Sequence, residues 1–540
     1  MQADTCFAVV IFAFLLTIRF VVECAAATIE IFAADTAITV RENGTTLHTE
    51  DWQGGGAVFI DADGIAIAGK NYKKTAKIRA FALLRTPMHR TPTPATAPFI
   101  AGNLWRHLIN MTLARSVGIL ATFIVDFVDI LFISRLDDAH LIAGMGFAAA
   151  ALYFIRAVAI ALGITTTVLV ARAIGSGDRH RAARYAWDTS AFSFLLLTLL
   201  AALAWFAREP ILTALGARGA SLHHAADYLA IVLIGLPLLA LGNCGTSTLF
   251  ALGSARLAMY VSLSATATQA VLDPIFIFVC GWGLQGAALA SLAAQMVLVV
   301  AAWYVVIWRY RLRAPLCLRL LLLNIPAIIA IAVPAVLTNL TSPLATAYAA
   351  RQMAPFGDAA VAAFAVIIRL VPVGFALLFS LSAAVAPIVG QNAGAARYDR
   401  VRQTLTAALQ FNWLTVAVIG LALYLLRDLL PQWFKLDDSA ATLLRFYCSG
   451  ASLLFGCKGM IFFINAAYNN LGRPFYSTAS NLAGLIFGAI PLISLGAWLL
   501  GPRGIILGHM AEAILTAPVC WLVVQRLVSR LETASLPRHP

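Results

Sequence analysis

Charge is scarce in this chain. Only 12% of its 540 residues are Asp, Glu, Lys or Arg, against 61% hydrophobic residues. Soluble domains carry about 25% charged residues, so a soluble fold is excluded. The chain also lacks a Gly-x-x-x-x-Gly-Lys-Ser/Thr phosphate loop, which excludes direct use of ATP. It contains neither His-Glu-x-x-His nor Gly-x-Ser-x-Gly, so two common hydrolytic chemistries are absent. Cys6, Cys24, Cys244, Cys280, Cys317, Cys448, Cys457 and Cys520 show no paired spacing. No disulfide framework or zinc site follows from them, and they read as small apolar filler. His140, His180, His223 and His224 lie in loops and read as solvated residues. No cluster of His, Asp or Cys at one interface offers a catalytic centre. The expectation is a non-enzyme with no cofactor.

What the chain does have is length without charge. Apolar runs of about 20 residues, each able to cross about 30 Å of hydrocarbon, recur from residue 108 onward. Twelve are expected, at 108–133, 141–171, 185–207, 226–250, 257–280, 284–308, 322–349, 359–390, 405–426, 442–470, 475–500 and 504–527. The fold class is therefore an all-α membrane protein. A net charge of +13 would point to nucleic acid in a soluble protein. Here the basic residues collect in alternate short loops, among them Arg172, Arg179, Arg181, Arg184, Arg309, Arg311, Arg313, Arg397, Arg400 and Arg402. That is the positive-inside pattern, with no nucleic-acid partner implied. It puts these loops and the C-terminal tail, residues 531–540, in the cytoplasm of a cell with the chain in its inner (plasma) membrane.

The spans repeat. Ala-Ile-Gly175-Ser-Gly-Asp follows the second and Asn-Ala-Gly394-Ala-Ala-Arg the eighth. Gly253-Ser-Ala follows the fourth, and Gly472-Arg-Pro the tenth. Gly286 opens the sixth and Gly504 the twelfth. Each pair lies roughly 219 residues apart. Six spans separate the copies, so the copies share one orientation. Two parallel six-helix lobes, 108–320 and 321–530, are expected, an architecture of transporters. Residues 1–107 stand outside this plan. Their apolar run at 7–22 has no basic flank, residues 28–80 contain strand-like pieces such as Ala-Val-Phe-Ile-Asp, and 86–98 is rich in Pro and Thr. The expectation is a poorly ordered appendage without a role in transport, or an upstream reading with Met88 as the first residue.

Two acids interrupt the apolar runs. Asp129 lies in the first span, and Asp273 in the fifth, directly before Pro274. A carboxylate near the bilayer centre costs roughly 2.5–3.5 kcal/mol on insertion scales, so such a group is functional by default. Asp126 shares a helix face with Asp129, and Gln269 shares one with Asp273. Pro274 disturbs the helix beside it and frees a carbonyl for a cation, water or substrate. Ser291 in the sixth span adds a hydroxyl. A carboxyl group held out of water is stable either protonated or beside a cation. A proton then competes with a cationic drug, or with sodium, and that competition suffices for antiport. The opposing reading makes these acids helix caps or ion-pair partners of Arg115 and Arg156. The second half lacks the acids: Tyr348 or Ala349 stands where Asp129 would be, and Ile490 or Pro491 where Asp273 would be. It carries Arg369, Lys458 and Glu512 at membrane depth, the last two as a candidate buried pair. Lysine snorkelling to an interface is the alternative.

These residues resemble the multidrug and toxic compound extrusion (MATE) family. The resemblance covers about residues 105–530. It rests on Val-Asp129-Ile-Leu-Phe-Ile-Ser, on Val271-Leu-Asp273-Pro274-Ile-Phe-Ile-Phe through Gly286-Ala-Ala-Leu-Ala, and on Ala386-Pro387-Ile-Val-Gly390-Gln391-Asn392-Ala-Gly394-Ala. The first-span acid is most similar to the bacterial DNA-damage-inducible (DinF-like) branch. The resemblance implies a V-shaped pair of lobes and efflux of cationic or amphipathic compounds against protons, or against sodium. It also implies that the two acids line the N-lobe cavity and take part in coupling. Gln269 stands where the family often has Asn, and the second-lobe acids of a sodium-using branch have no counterpart. Protons are the expected ion, and a monomer in the lipid bilayer the expected state. The alternative is a flippase for lipid-linked oligosaccharides from the related exporter superfamily. Such proteins line the cavity with Arg and Lys; the acidic first half opposes this, while Arg369 and Lys458 favour it.

Overall fold

A computed structural model describes residues 97–535 except 137, 138, 316 and 435, together with four short strands nearer the N-terminus. The strands form two antiparallel hairpins, Val40–Glu42 with Thr45–Leu47 and Val58–Asp61 with Gly64–Ile67. They belong to a unit of residues 22–95, separate from the one that holds 96–540. The strand-like Val-Phe-Ile-Asp piece is thus a strand. The expected disorder of residues 86–96, the run at 7–22 and the choice of Met88 as start lie outside the described residues.

The spanning unit is helical throughout. The first six spans are α1 (Leu104–Ser134), α2 (Ala139–Gly175), α3 (Arg179–Phe206), α4 (Gly219–Ala251), α5 (Ala255–Pro274) and α6 (Gly283–Tyr304). The second six begin with α7 (Leu318–Met353). The eighth is broken at Phe375 into α8 (Asp358–Gly374) and α9 (Ala376–Gly394), and α10 (Tyr398–Leu426) is the ninth. The tenth runs through α11 (Asp438–Cys448) and α12 (Phe455–Asn470). The eleventh is α13 (Pro474–Ala483) and α14 (Ile490–Leu500), the twelfth α15 (Pro502–Met510) and α16 (Thr516–Ser535). Leucine, phenylalanine and tryptophan stay exposed on the outer faces, as with Phe127, Phe206 and Trp498. In water this would be a liability; against lipid tails it costs nothing. Pro274 does not end its helix. The α-helix runs through it and widens into a π-helical turn, Ile275–Val279, closed by the Cys280 N–H donating to Ile275 O at 2.8 Å. Cys244, Cys317, Cys448, Cys457 and Cys520 are free thiols. Cys280 is not filler, because it is disulfide-bonded.

The two halves meet at the arginine-rich end, where the internal repeat becomes geometry. The Arg172 guanidinium of α2 donates to Asn470 O at 2.7 Å and Asn469 O at 2.8 Å, at the end of α12. Its repeat mate Gln391 of α9 donates to Ala251 O, at the end of α4, at 2.8 Å. Arg172 and Gln391, and Ala251 and Asn470, are each 219 positions apart. Each half therefore caps the last carbonyls of a helix in the other, where a donor is most useful. Residues 97–103, placed by sequence in the extension, pack into this end. The Phe99 N–H donates to Gln391 Oε1 at 3.1 Å, and the Asn392 carboxamide donates to Phe99 O at 3.1 Å.

Glycine allows the close approach. A Cβ on Gly175 would overlap the Gln391 carbonyl, and one on Gly394 would overlap the Arg172 carbonyl. Alanine at either position is therefore expected to hold this end apart. A cysteine introduced at the buried Ala173 should then react with a maleimide several-fold faster than in the glycine-intact protein. Equal rates would show that the contact yields without opening.

Candidate functional site

Asp129 and Asp273 come together. α1 packs against α5, which sets the Asp129 and Asp273 carboxyls beside each other. A hydrogen bond between two carboxyl groups needs one proton between them. Asp129 Oδ2 also accepts from Gln269 Nε2 at 2.7 Å. Asp129 is 5% exposed and Asp273 not at all. Neither oxygen of Asp273, nor Oδ1 of Asp129, has a hydrogen-bond donor. The rings of Phe132 and Phe278, one in each neighbouring turn, close the contact edge-on with centroids 5.7 Å apart.

In front of this pair lies a cavity of about 530 Å³, lined wholly by the first half. Asp126, Asp129, Gln269 and Ser291 are all in its wall; Asp273 sits behind Asp129 and does not reach it. Asp126 is exposed to the cavity, in contrast to its neighbour one turn on. Arg115, Arg156, Tyr228, Asn243 and Gln295 are among the other polar residues of its wall. A second chamber of about 580 Å³ lies between the halves. The two spaces share Arg115, Ile119, Ile160, Asn243, Thr246 and Phe250, so they are contiguous.

Lys458 and Glu512 face the chamber from the second half. They form an ion pair, each about one-tenth exposed, and Lys458 Nζ also donates to Ser342 Oγ at 3.1 Å. Glu512 occupies the break between α15 and α16, with His509 Nδ1 3.7 Å from its second oxygen. Lysine does not snorkel here. Arg369 departs from expectation: it is exposed and lines neither cavity. The buried residues of α8 are Ala360, Ala363, Phe364, Val366, Ile367 and Val371, and Arg369 lies on the opposite side of the helix from the centre of that group. Apolar neighbours on both sides had read as depth. The oligosaccharide-flippase alternative loses one of its two cations with it.

Other lining residues carried little signal. Arg115 and Arg156 entered only as ion-pair partners for the acids, and His509 not at all. Asn243, Asn339, Asn465 and Asn481, which line one or both cavities, are neutral amides that no motif marks.

Contiguous cavities at membrane depth, one backed by a dry carboxyl pair and closed at one end by paired helix ends, belong to a transporter of small molecules. The MatE family model matches residues 116–275 and again 334–493, the second match beginning 218 residues after the first. This chain belongs to that family. A Shewanella oneidensis protein named as an FAD transporter is 30% identical over 434 residues, covering 79% of this chain and 96% of that one. The Staphylococcus aureus multidrug export protein MepA is 22% identical over 438 residues, covering 79% of this chain and 95% of MepA. The crystal structure of the Vibrio cholerae MATE transporter VcmN in the bent form matches with a TM-score of 0.75 at 25% identity, over 80% of this chain and 98% of VcmN. The protein is a multi-pass membrane transporter, not an enzyme.

Proposed function

We propose that the protein is a proton-coupled antiporter that exports amphipathic compounds, cationic ones included, across the inner membrane. The observation that carries this is the Asp129–Asp273 pair, held out of water behind the first-half cavity. A site that must gain an ion in one conformation and lose it in another needs a group whose two states differ little in packing; a shared proton meets that need. Sodium is the weaker candidate, because a hard cation collects several oxygen ligands and Asp273, fully buried, does not reach the cavity from which such an ion and its waters would come. The positive-inside rule puts the closed, arginine-rich end in the cytoplasm, so this conformation faces outward. Entry of a proton from outside releases cargo; its loss inward readies the site for new cargo. A relative named for multidrug export, MepA, supports that direction.

The test is transport of rhodamine 6G by the full chain in liposomes, with each gradient imposed separately. A proton gradient without sodium is expected to drive the dye, and a sodium gradient at equal pH is not. Transport on sodium alone would replace the coupling ion. Transport with neither gradient would end the antiport reading.

A further inference from the structure

We infer that the chamber between the halves takes amphipathic cargo that carries an oxyanion on a flat ring, and that Arg115 binds the anionic group; this rests on the transport reading above and narrows its cargo. Three charged side chains line the chamber: Arg115, Lys458 and Glu512. Lys458 and Glu512 are paired with each other. Arg115 is left as the uncompensated charge. Its Nε is enclosed without a hydrogen-bond partner, and its guanidinium lies over the Phe250 ring, 4.8 Å from the centroid. Asp126 is three turns further along α1, roughly 16 Å by the helical rise, and opens into the other cavity.

A guanidinium at membrane depth without an anion is costly to keep. Its planar fork of five donors matches a carboxylate, sulfonate or phosphate in two parallel hydrogen bonds. The rest of the wall fits the rest of such a molecule. Phe379 and Phe462, stacked with centroids 5.0 Å apart, line the chamber, and Asn339 and Asn481 offer neutral donors and acceptors. This chamber offers no free carboxylate, since its one acid is already taken by Lys458. The acids of the first half lie in the adjoining cavity, so proton and cargo have separate places that meet at Arg115 and Phe250.

The experiment uses two dyes with the same three-ring frame and opposite charge, carboxyfluorescein and rhodamine 6G. Binding to the purified full-length protein in detergent is followed by fluorescence anisotropy. Carboxyfluorescein is expected to bind the unmodified protein. Arg115→Gln should weaken it about tenfold or more, while rhodamine 6G binds as before. Arg115→Lys keeps the charge but not the fork, so it should weaken carboxyfluorescein less, and it is the variant to read if the Gln variant does not fold. No carboxyfluorescein binding by the unmodified protein, or equal binding by it and both variants, overturns the inference. Proton-coupled rhodamine 6G transport that survives Arg115→Gln, without carboxyfluorescein binding, would sink the cargo assignment and leave antiport standing. Carboxyfluorescein transport that ignores a proton gradient would do the reverse.

Discussion

Asp273→Asn is expected to bring dye-dependent proton release in liposomes down to that of protein-free vesicles, with the protein inserted and folded as before. The substitution preserves shape. It removes the proton that the pair can share, because an amide has no protonation step in the working range. Little else is lost, since the Asp273 oxygens accept from no donor. Asp129→Asn should behave alike. An Asn oxygen can still accept from Gln269 Nε2, which now holds Asp129 Oδ2 at 2.7 Å, so the α1–α5 contact survives. Asp126→Asn is the internal comparison. Asp126 is exposed in the same cavity, one helical turn from the buried acid. Its loss should slow proton release by a few-fold and leave it measurable. Dye binding should persist in all three variants, because none of them alters the apolar and aromatic wall of the chamber between the halves. Normal proton release by Asp273→Asn would remove the pair from the mechanism. Equal losses in all three would mean that cavity charge, not the shielded pair, is what matters.

The sequence made the spans legible because crossing a membrane demands length and apolarity, and both are local. The repeat was legible for the same reason: its marks, Gly253 and Gly472, are loop positions where both copies need a left-handed backbone, φ +84° and +80°. The acids were legible because charge is expensive where they stand. What stayed hidden depends on neighbours. The break in the twelfth span falls in Ala-Glu512-Ala-Ile-Leu, which contains neither glycine nor proline. It goes with the Lys458 pairing and with Gly488, where a Cβ would overlap the Glu512 carbonyl. Hydropathy measures the span and is blind to its continuity. Arg172 read as one more loop charge of the cytoplasmic side, yet it caps a helix of the opposite half. Arg369 erred the other way, since the apolarity of its neighbours says nothing about which side of α8 it occupies.

Lys458→Met is expected to destabilise the second half by about 3–5 kcal/mol, the cost of leaving one partner of a buried ion pair behind. Glu512 would then keep its carboxylate at membrane depth, with one oxygen already lacking a hydrogen bond and only His509, 3.7 Å away, to answer it. Ser342 Oγ would lose its donor as well. Lys458→Met combined with Glu512→Leu removes both charges and should recover most of that loss, since apolar replacement of a buried pair is often neutral or stabilising. Thermal unfolding in detergent is the measurement. A single variant as stable as the unmodified protein would mean that cavity water already solvates the carboxylate. A double variant no better than the single would mean that the break between α15 and α16 depends on Glu512 itself. The double variant also separates two roles. With the pair gone, the chamber wall loses a balanced dipole but no net charge, so binding steered by Arg115 should survive. If the refolded double variant binds dye and no longer moves it, the pair acts in the motion of the broken twelfth span. Two charges retained at such depth, where leucine and methionine would pack as well, are then retained for the switch between conformations.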